Sequence, residues 1–172
     1  MNKYLLIVCA AGAALFGFAA MAEQKPDLLG TYHDWFVYKT GSGAERQCYA
    51  LSQPKQTNPA GMKRETPFFL ISSWPAKKVK NEPSIVPGYT YKEGSKVQVQ
   101  LGSDKFEFFI KNDGDSGGAW MDDPAKERKL VDAMKRSAVF SVTGLPAHGA
   151  MTRDNYSLAG LSAALEKVAS CK

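Results

Sequence analysis

Lys96-Val97-Gln98-Val99-Gln100-Leu101 alternates polar and apolar side chains without a break. Successive side chains of an extended chain point to opposite sides, so this segment puts one face in a core and the other in water. Gly102-Ser103-Asp104 then turns the chain into Phe106-Glu107-Phe108-Phe109-Ile110, where Phe106, Phe108 and Ile110 continue the inward face. The two segments predict a β-hairpin. The rest of the chain has to supply neighbouring strands and a cover for the buried face.

Candidates for those strands are short. Trp35-Phe36-Val37-Tyr38 is dense in aromatic and β-branched residues, which suit a pleated, half-buried surface. Gly41-Ser42-Gly43 reads as a turn into a partner strand over Arg46 to Ser52, which carries Cys48. Pro67 to Ser73 holds the unbroken apolar run Phe68-Phe69-Leu70-Ile71, expected to be central and buried on both faces. Ala138 to Thr143 is a further strand, stopped by Gly144 and Pro146. Glu23 to Gly30 reads as a polar arm and Gln53 to Glu65, with Pro54, Asn58, Pro59 and Gly61, as a loop.

Two helices are expected. Asp122-Asp123-Pro124 opens the first, because Asp accepts hydrogen bonds from free N-terminal amides and Pro is tolerated in the first turn. Leu130, Val131 and Met134 form its apolar stripe. Ser157 is the expected N-cap of the second, which places Leu158, Leu161, Leu165 and Val168 on one face, with Cys171 continuing the stripe. The fold class is therefore mainly β with two helices: a β-sandwich-like single domain of about seven to nine strands, with a C-terminal amphipathic helix packed on it.

Residues 1–22 have the pattern of a cleavable secretory signal. Lys3 supplies the positive start, an apolar run follows from Tyr4 to Ala20, and Ala20-Met21-Ala22 gives small residues before Glu23. A retained membrane anchor is the alternative, since the run is close to the ~17-residue lower limit of a span. Residues 23–172 then make one domain, whose formal charge falls from +5 to +4 once Lys3 is gone. That balance lacks the dense Lys/Arg clustering of a nucleic-acid binder. Cleavage leaves Cys48 and Cys171, and an even pair in an oxidising compartment implies a disulfide, two free thiols being the alternative.

Chemical motifs are sparse. Gly114-Asp115-Ser116-Gly117-Gly118 reproduces the surroundings of the nucleophilic Ser in chymotrypsin-like proteases. The chain offers only His33 and His148 as bases, is too short for two β-barrels, and has here the composition of any turn. No catalytic residue is therefore assigned, and a serine hydrolase using Ser116 is the alternative. His33-Asp34 is not completed to a metal site at a recognisable spacing, and no cofactor is expected. Trp74, Lys77, Lys78 and Lys80 combine an indole with three positive charges on an expected loop, which suits an anionic partner.

In order along the chain, Asp34-Trp35, Cys48-Tyr49-Ala50-Leu51-Ser52-Gln53-Pro54, Tyr91-Lys92-Glu93-Gly94-Ser95, Ala119-Trp120, Tyr156-Ser157-Leu158 and Ser162-Ala163-Ala164-Leu165 resemble the invasion-associated locus B family of Gram-negative bacteria. The resemblance covers nearly all of residues 23–172. It implies a β-rich periplasmic or surface-associated protein whose late Cys pairs with the early one, and it brings no catalytic residues. The expected function is an exported, non-enzymatic binding or accessory factor of the cell envelope, linked to host-cell invasion, with a protein or glycan partner. Its expected location is the periplasm, with outer-membrane association or surface exposure as the variant. A periplasmic structural or stress-related role is the alternative, favoured by the lack of any convergent polar cluster in the sequence.

Overall fold

The computed structural model describes residues 25–171, so the signal assigned to residues 1–22 lies outside the described residues. The chain forms β1 (Asp27–Tyr32), β2 (Trp35–Thr40), β3 (Gln47–Ser52), β4 (Gln56–Asn58), β5 (Phe68–Trp74), β6 (Val79–Val86), β7 (Lys96–Leu101), β8 (Asp104–Asp113) and β9 (Ser116–Trp120). Helix α1 (Pro124–Lys135), β10 (Val139–Gly144), β11 (Thr152–Ser157) and helix α2 (Leu161–Ser170) complete it. All eleven strands among the described residues belong to one sheet, ordered β1-β2-β3-β5-β6-β9-β8-β7-β10-β11-β4, and every ladder in it is antiparallel. The mainly-β, two-helix domain read from the sequence is the one observed.

Its two layers come from folding that single sheet on itself. Phe69 of β5 sits edge-on to Phe108 of β8 at 6.4 Å, to Phe140 of β10 at 4.8 Å and to Tyr156 of β11 at 6.2 Å. Trp35 of β2 also meets Phe69, and its indole N–H donates to the Ser157 carbonyl at the end of β11, 3.1 Å away. The inward positions of the 96–110 hairpin behave as the alternation requires: Val97, Val99 and Phe108 are buried, while Phe106 and Ile110 pack partly buried against the core.

Eleven strands form among the described residues where about seven to nine were expected, and four local expectations also need correction. The 23–30 arm contains most of β1, which pairs with β2, and the 53–65 loop contains β4, which pairs with Arg153, Asp154 and Asn155 of β11. The Phe68–Ile71 run is not buried on both faces. Phe69 and Ile71 are inside, but Phe68 and Leu70 are only half-buried on the outer face. There Leu70 joins a largely apolar row that register carries across the sheet from Phe36 through Leu51, Leu70 and Ser84 to Trp120 and Phe109, the last 46% exposed.

The fourth concerns α2, which starts a turn later than expected. Ser157 ends β11 paired with Val139, and its hydroxyl accepts from the Ala159 amide rather than capping a helix. Gly160 precedes α2 at φ 91°, and a Cβ there would lie 2.0 Å from the Tyr32 carbonyl oxygen, so only glycine lets the chain pass β1 and enter the helix. From that start Leu161, Ala164, Leu165 and Val168 are buried. Cys171, next in the stripe, is bonded to Cys48 of β3, with Cα atoms 6.3 Å apart. No helix among the described residues is long and apolar enough to cross a membrane.

Candidate functional site: a basic groove beside strand β6

Trp74 ends β5, and Pro75 opens a single 3-10 turn, Pro75–Lys77, that leaves Lys78 in the left-handed region at φ 56°. Val79 then rejoins the sheet opposite Trp74, but the register slips between Ser72 and Trp74, and Asn81 is left-handed as well at φ 54°. The Asn81 amide donates to Ser73 Oγ at 3.1 Å, which satisfies a group that the bulge takes out of the ladder. Bulges re-aim side chains. Here the chain turns Lys78 and Lys80 toward α1.

Helix α1 is aimed by its cap. The Asp123 carboxylate accepts from the Ala125 amide at 2.7 Å and the Lys126 amide at 3.4 Å, as the sequence predicted. Leu130, Val131, Ala133 and Met134 bury one side of the helix. Pro124, Glu127, Arg128, Val131, Asp132 and Lys135, at helical spacing, line a cavity of about 500 Å³ closed on the other side by Lys78, Val79, Lys80 and Asn81. A second cavity of about 390 Å³ shares Asn81 and Lys135 and extends the trough to Ser162, Leu165, Glu166 and Ala169 of α2.

The first cavity carries Lys78, Lys80, Arg128 and Lys135 against Glu127 and Asp132, a net charge of +2. Asp132 is committed to Lys135, 3.5 Å away. Burial pushes the Glu127 carboxyl above the usual carboxylate range, and the neighbouring Glu82 adds to it; burial alone raises Glu82. A carboxyl whose pKa is higher folded than unfolded destabilises the fold at neutral pH, and that penalty disappears as pH falls through the folded value. Glu82→Gln and Glu127→Gln are each expected to raise the neutral-pH Tm by about 1 to 2 °C, a small effect for half-exposed groups. The gain should vanish in acid; thermal scans across pH check it, and a gain that grew as pH fell would reverse the assignment.

The structure separates the residues that the sequence grouped. Lys78 and Lys80 line the groove, Lys80 from strand β6 rather than from a loop, whereas Lys77 faces Glu45 at 3.0 Å and Trp74 lies outside the lining. The Gly114–Gly118 motif is not a plain loop. Gly114 and Asp115 form a two-residue hairpin turn, with Gly114 at φ 55°, and Ser116 begins β9 paired with Asp113. Gly118 lies under the Trp120 indole, which a Cβ would approach to 2.2 Å, so packing accounts for that glycine. His33 sits in the β1–β2 turn, and the Asp34 carboxylate beside it is held by Lys55, which lowers its pKa.

One constellation contradicts the reading that no polar groups converge. Arg64, from the 53–65 loop, forms a buried ion pair with Asp154 of β11, with side chains 5% and 4% exposed. Its other guanidinium nitrogen donates to the Pro87 carbonyl at 2.9 Å, and its carbon lies 5.6 Å from the centre of the Tyr89 ring. Tyr89 in turn shares a 2.6 Å hydrogen bond with Thr152. The Arg64 and Asp154 side chains are both enclosed, so the pair fixes a loop.

The fold and the groove define a β-rich, disulfide-bonded domain with a cationic trough on its surface. No protein-family profile matches the chain, and no curated protein matches it. Among solved structures, the crystal structure of invasion associated protein B from Bartonella henselae is similar to it with a TM-score of 0.55 at 13% identity, over 86% of this chain and 97% of that one. At that identity the likeness is one of fold.

Proposed function

We propose that this chain is an exported, non-enzymatic accessory protein of the cell envelope that binds an anionic partner in the groove between β6 and α1. The groove carries the reading: Lys78 just before β6, Lys80 of β6, and Arg128 and Lys135 of α1 converge on one concave surface, and a concave surface with a net charge of one sign draws partners of the opposite sign. Export is supported by the pattern of residues 1–22 and by the Cys48–Cys171 bridge, a bond that persists in oxidising compartments. The shared fold with invasion associated protein B from Bartonella henselae supports distant kinship with the invasion-associated locus B family, and with it a periplasmic or surface-exposed location and a protein or glycan partner.

The test is retention from envelope extracts on immobilised protein at low and raised salt. A partner held by surface charge is expected to bind at low salt and to be released as salt screens the contact. Lys80→Glu with Arg128→Glu is expected to weaken retention by roughly ten- to thirtyfold, since each reversal replaces an attraction with a repulsion. Equal retention by the reversed variant would remove the groove from the function, and an empty column at every salt would remove the binding role.

A further inference from the structure

We infer that the partner's bound part is an extended acidic protein segment that alternates carboxylates with apolar side chains; this deepens the groove reading above and rests on it. Length is the first argument. The α1 positions that line the first cavity run from Pro124 to Lys135, roughly 17 Å at helical rise. That is the span of about five extended residues, and the second cavity continues the trough past Asn81 and Lys135 toward α2.

The two walls differ in chemistry. On the strand side the charged lining residues are Lys78 and Lys80 alone, set two residues apart. On the helix side Arg128 and Lys135 are offset by Glu127 and Asp132, the exposed Pro124 stands at the start of the helix, and Glu82 lies close enough to raise Glu127. An extended chain sends alternate side chains to opposite sides. Carboxylates at every second position therefore meet the lysine wall, and the intervening side chains meet the mixed wall, where an apolar group suits the exposed Pro124 ring and a carboxylate would face Glu127. A glycan is disfavoured because no aromatic ring lines either cavity among the described residues, which leaves a sugar no face on which to stack.

Fluorescence anisotropy with the full chain tests this using three probes: a labelled peptide alternating Glu and Leu, an equally charged peptide alternating Glu and Ser, and an oligogalacturonate with the same number of carboxylates. The Glu/Leu peptide is expected to bind about tenfold tighter than the Glu/Ser peptide, the effect of burying apolar side chains, and tighter than the oligosaccharide. Lys78→Glu with Lys80→Glu, both on exposed side chains, should weaken the two peptides together. Equal binding of the two peptides overturns the alternating segment and leaves the anionic-partner reading standing. Preference for the oligosaccharide does the same in favour of a glycan. Peptide binding that ignores the lysine reversals, or no binding by any probe, overturns both.

Discussion

Reducing the Cys48–Cys171 bridge is expected to lower the unfolding free energy by about 5 kcal/mol, the loop-closure entropy of a cross-link spanning 123 residues. The bond joins β3, in one layer, to the residue after α2, so it closes most of the described chain into one loop. In its absence the unfolded ensemble gains that freedom, while the folded state keeps α2 seated through Leu161, Ala164, Leu165 and Val168. The effect should therefore appear as a lower denaturation midpoint together with a steeper dependence on denaturant, because the reduced unfolded chain exposes more surface. Cys48 is fully buried, so Cys48→Ala with Cys171→Ala is the cleaner substitution, since serine would bury a hydroxyl. Urea titrations of the oxidised, reduced and doubly substituted protein decide it. Reduced and substituted forms should coincide, and a midpoint indifferent to reductant would show that the bridge contributes nothing.

What the sequence revealed of this fold followed from local signals. The 96–110 hairpin was legible because alternation records one-sided burial directly, and α1 was legible because Asp123 and Pro124 mark its start. The strands that escaped notice lack such marks. Gln56-Thr57-Asn58 becomes β4 through backbone pairing to β11 and carries no apolar residue. Val79–Val86 contains Pro83 and the left-handed Asn81, both cues against a strand. It is a strand because its ladder to β5 runs nearly its whole length, whereas its ladder to β9 holds only Ser84 and Ile85. Ser116–Trp120 spells a turn in composition, yet its glycines let Trp120 lie over the backbone.

The groove was half legible for the same reason. Lys78 and Lys80 stood out as a charge run, while in the helix of Arg128 and Lys135 only the apolar stripe was legible. Only the long-range placement of α1 beside the β6 bulge turns the two sets into one surface. Local sequence cannot state that juxtaposition. The buried ion pair was illegible altogether, because Arg64 and Asp154 stand 90 positions apart and each is ordinary in its own context.

That pair gives the second large expected effect: Asp154→Ala or Arg64→Ala alone should cost about 3 to 5 kcal/mol, because each leaves a buried charge without its partner. Substituting both with apolar residues of similar size, Arg64→Met with Asp154→Leu, should recover most of the loss, since the desolvation of two charges is removed together with their attraction. Arg64 also holds its loop to the body: it reaches Pro87, and the next residue, Glu65, donates its amide to the Gly88 carbonyl at 3.1 Å. The single variants should therefore expose the 59–67 segment to protease before the protein unfolds globally, a local opening that a purely global loss of stability would not produce. In the double variant the loop keeps its backbone contact at Gly88 but loses the Arg64 peg, so stability should return further than protease resistance does. A double-mutant cycle of wild type, Arg64→Met, Asp154→Leu and the pair, from denaturant titrations run beside limited proteolysis of the same four proteins, separates the two contributions. Additive single effects would show that Arg64 and Asp154 do not act as a pair, and protease resistance unchanged in all four would show that the loop is held by Gly88 alone.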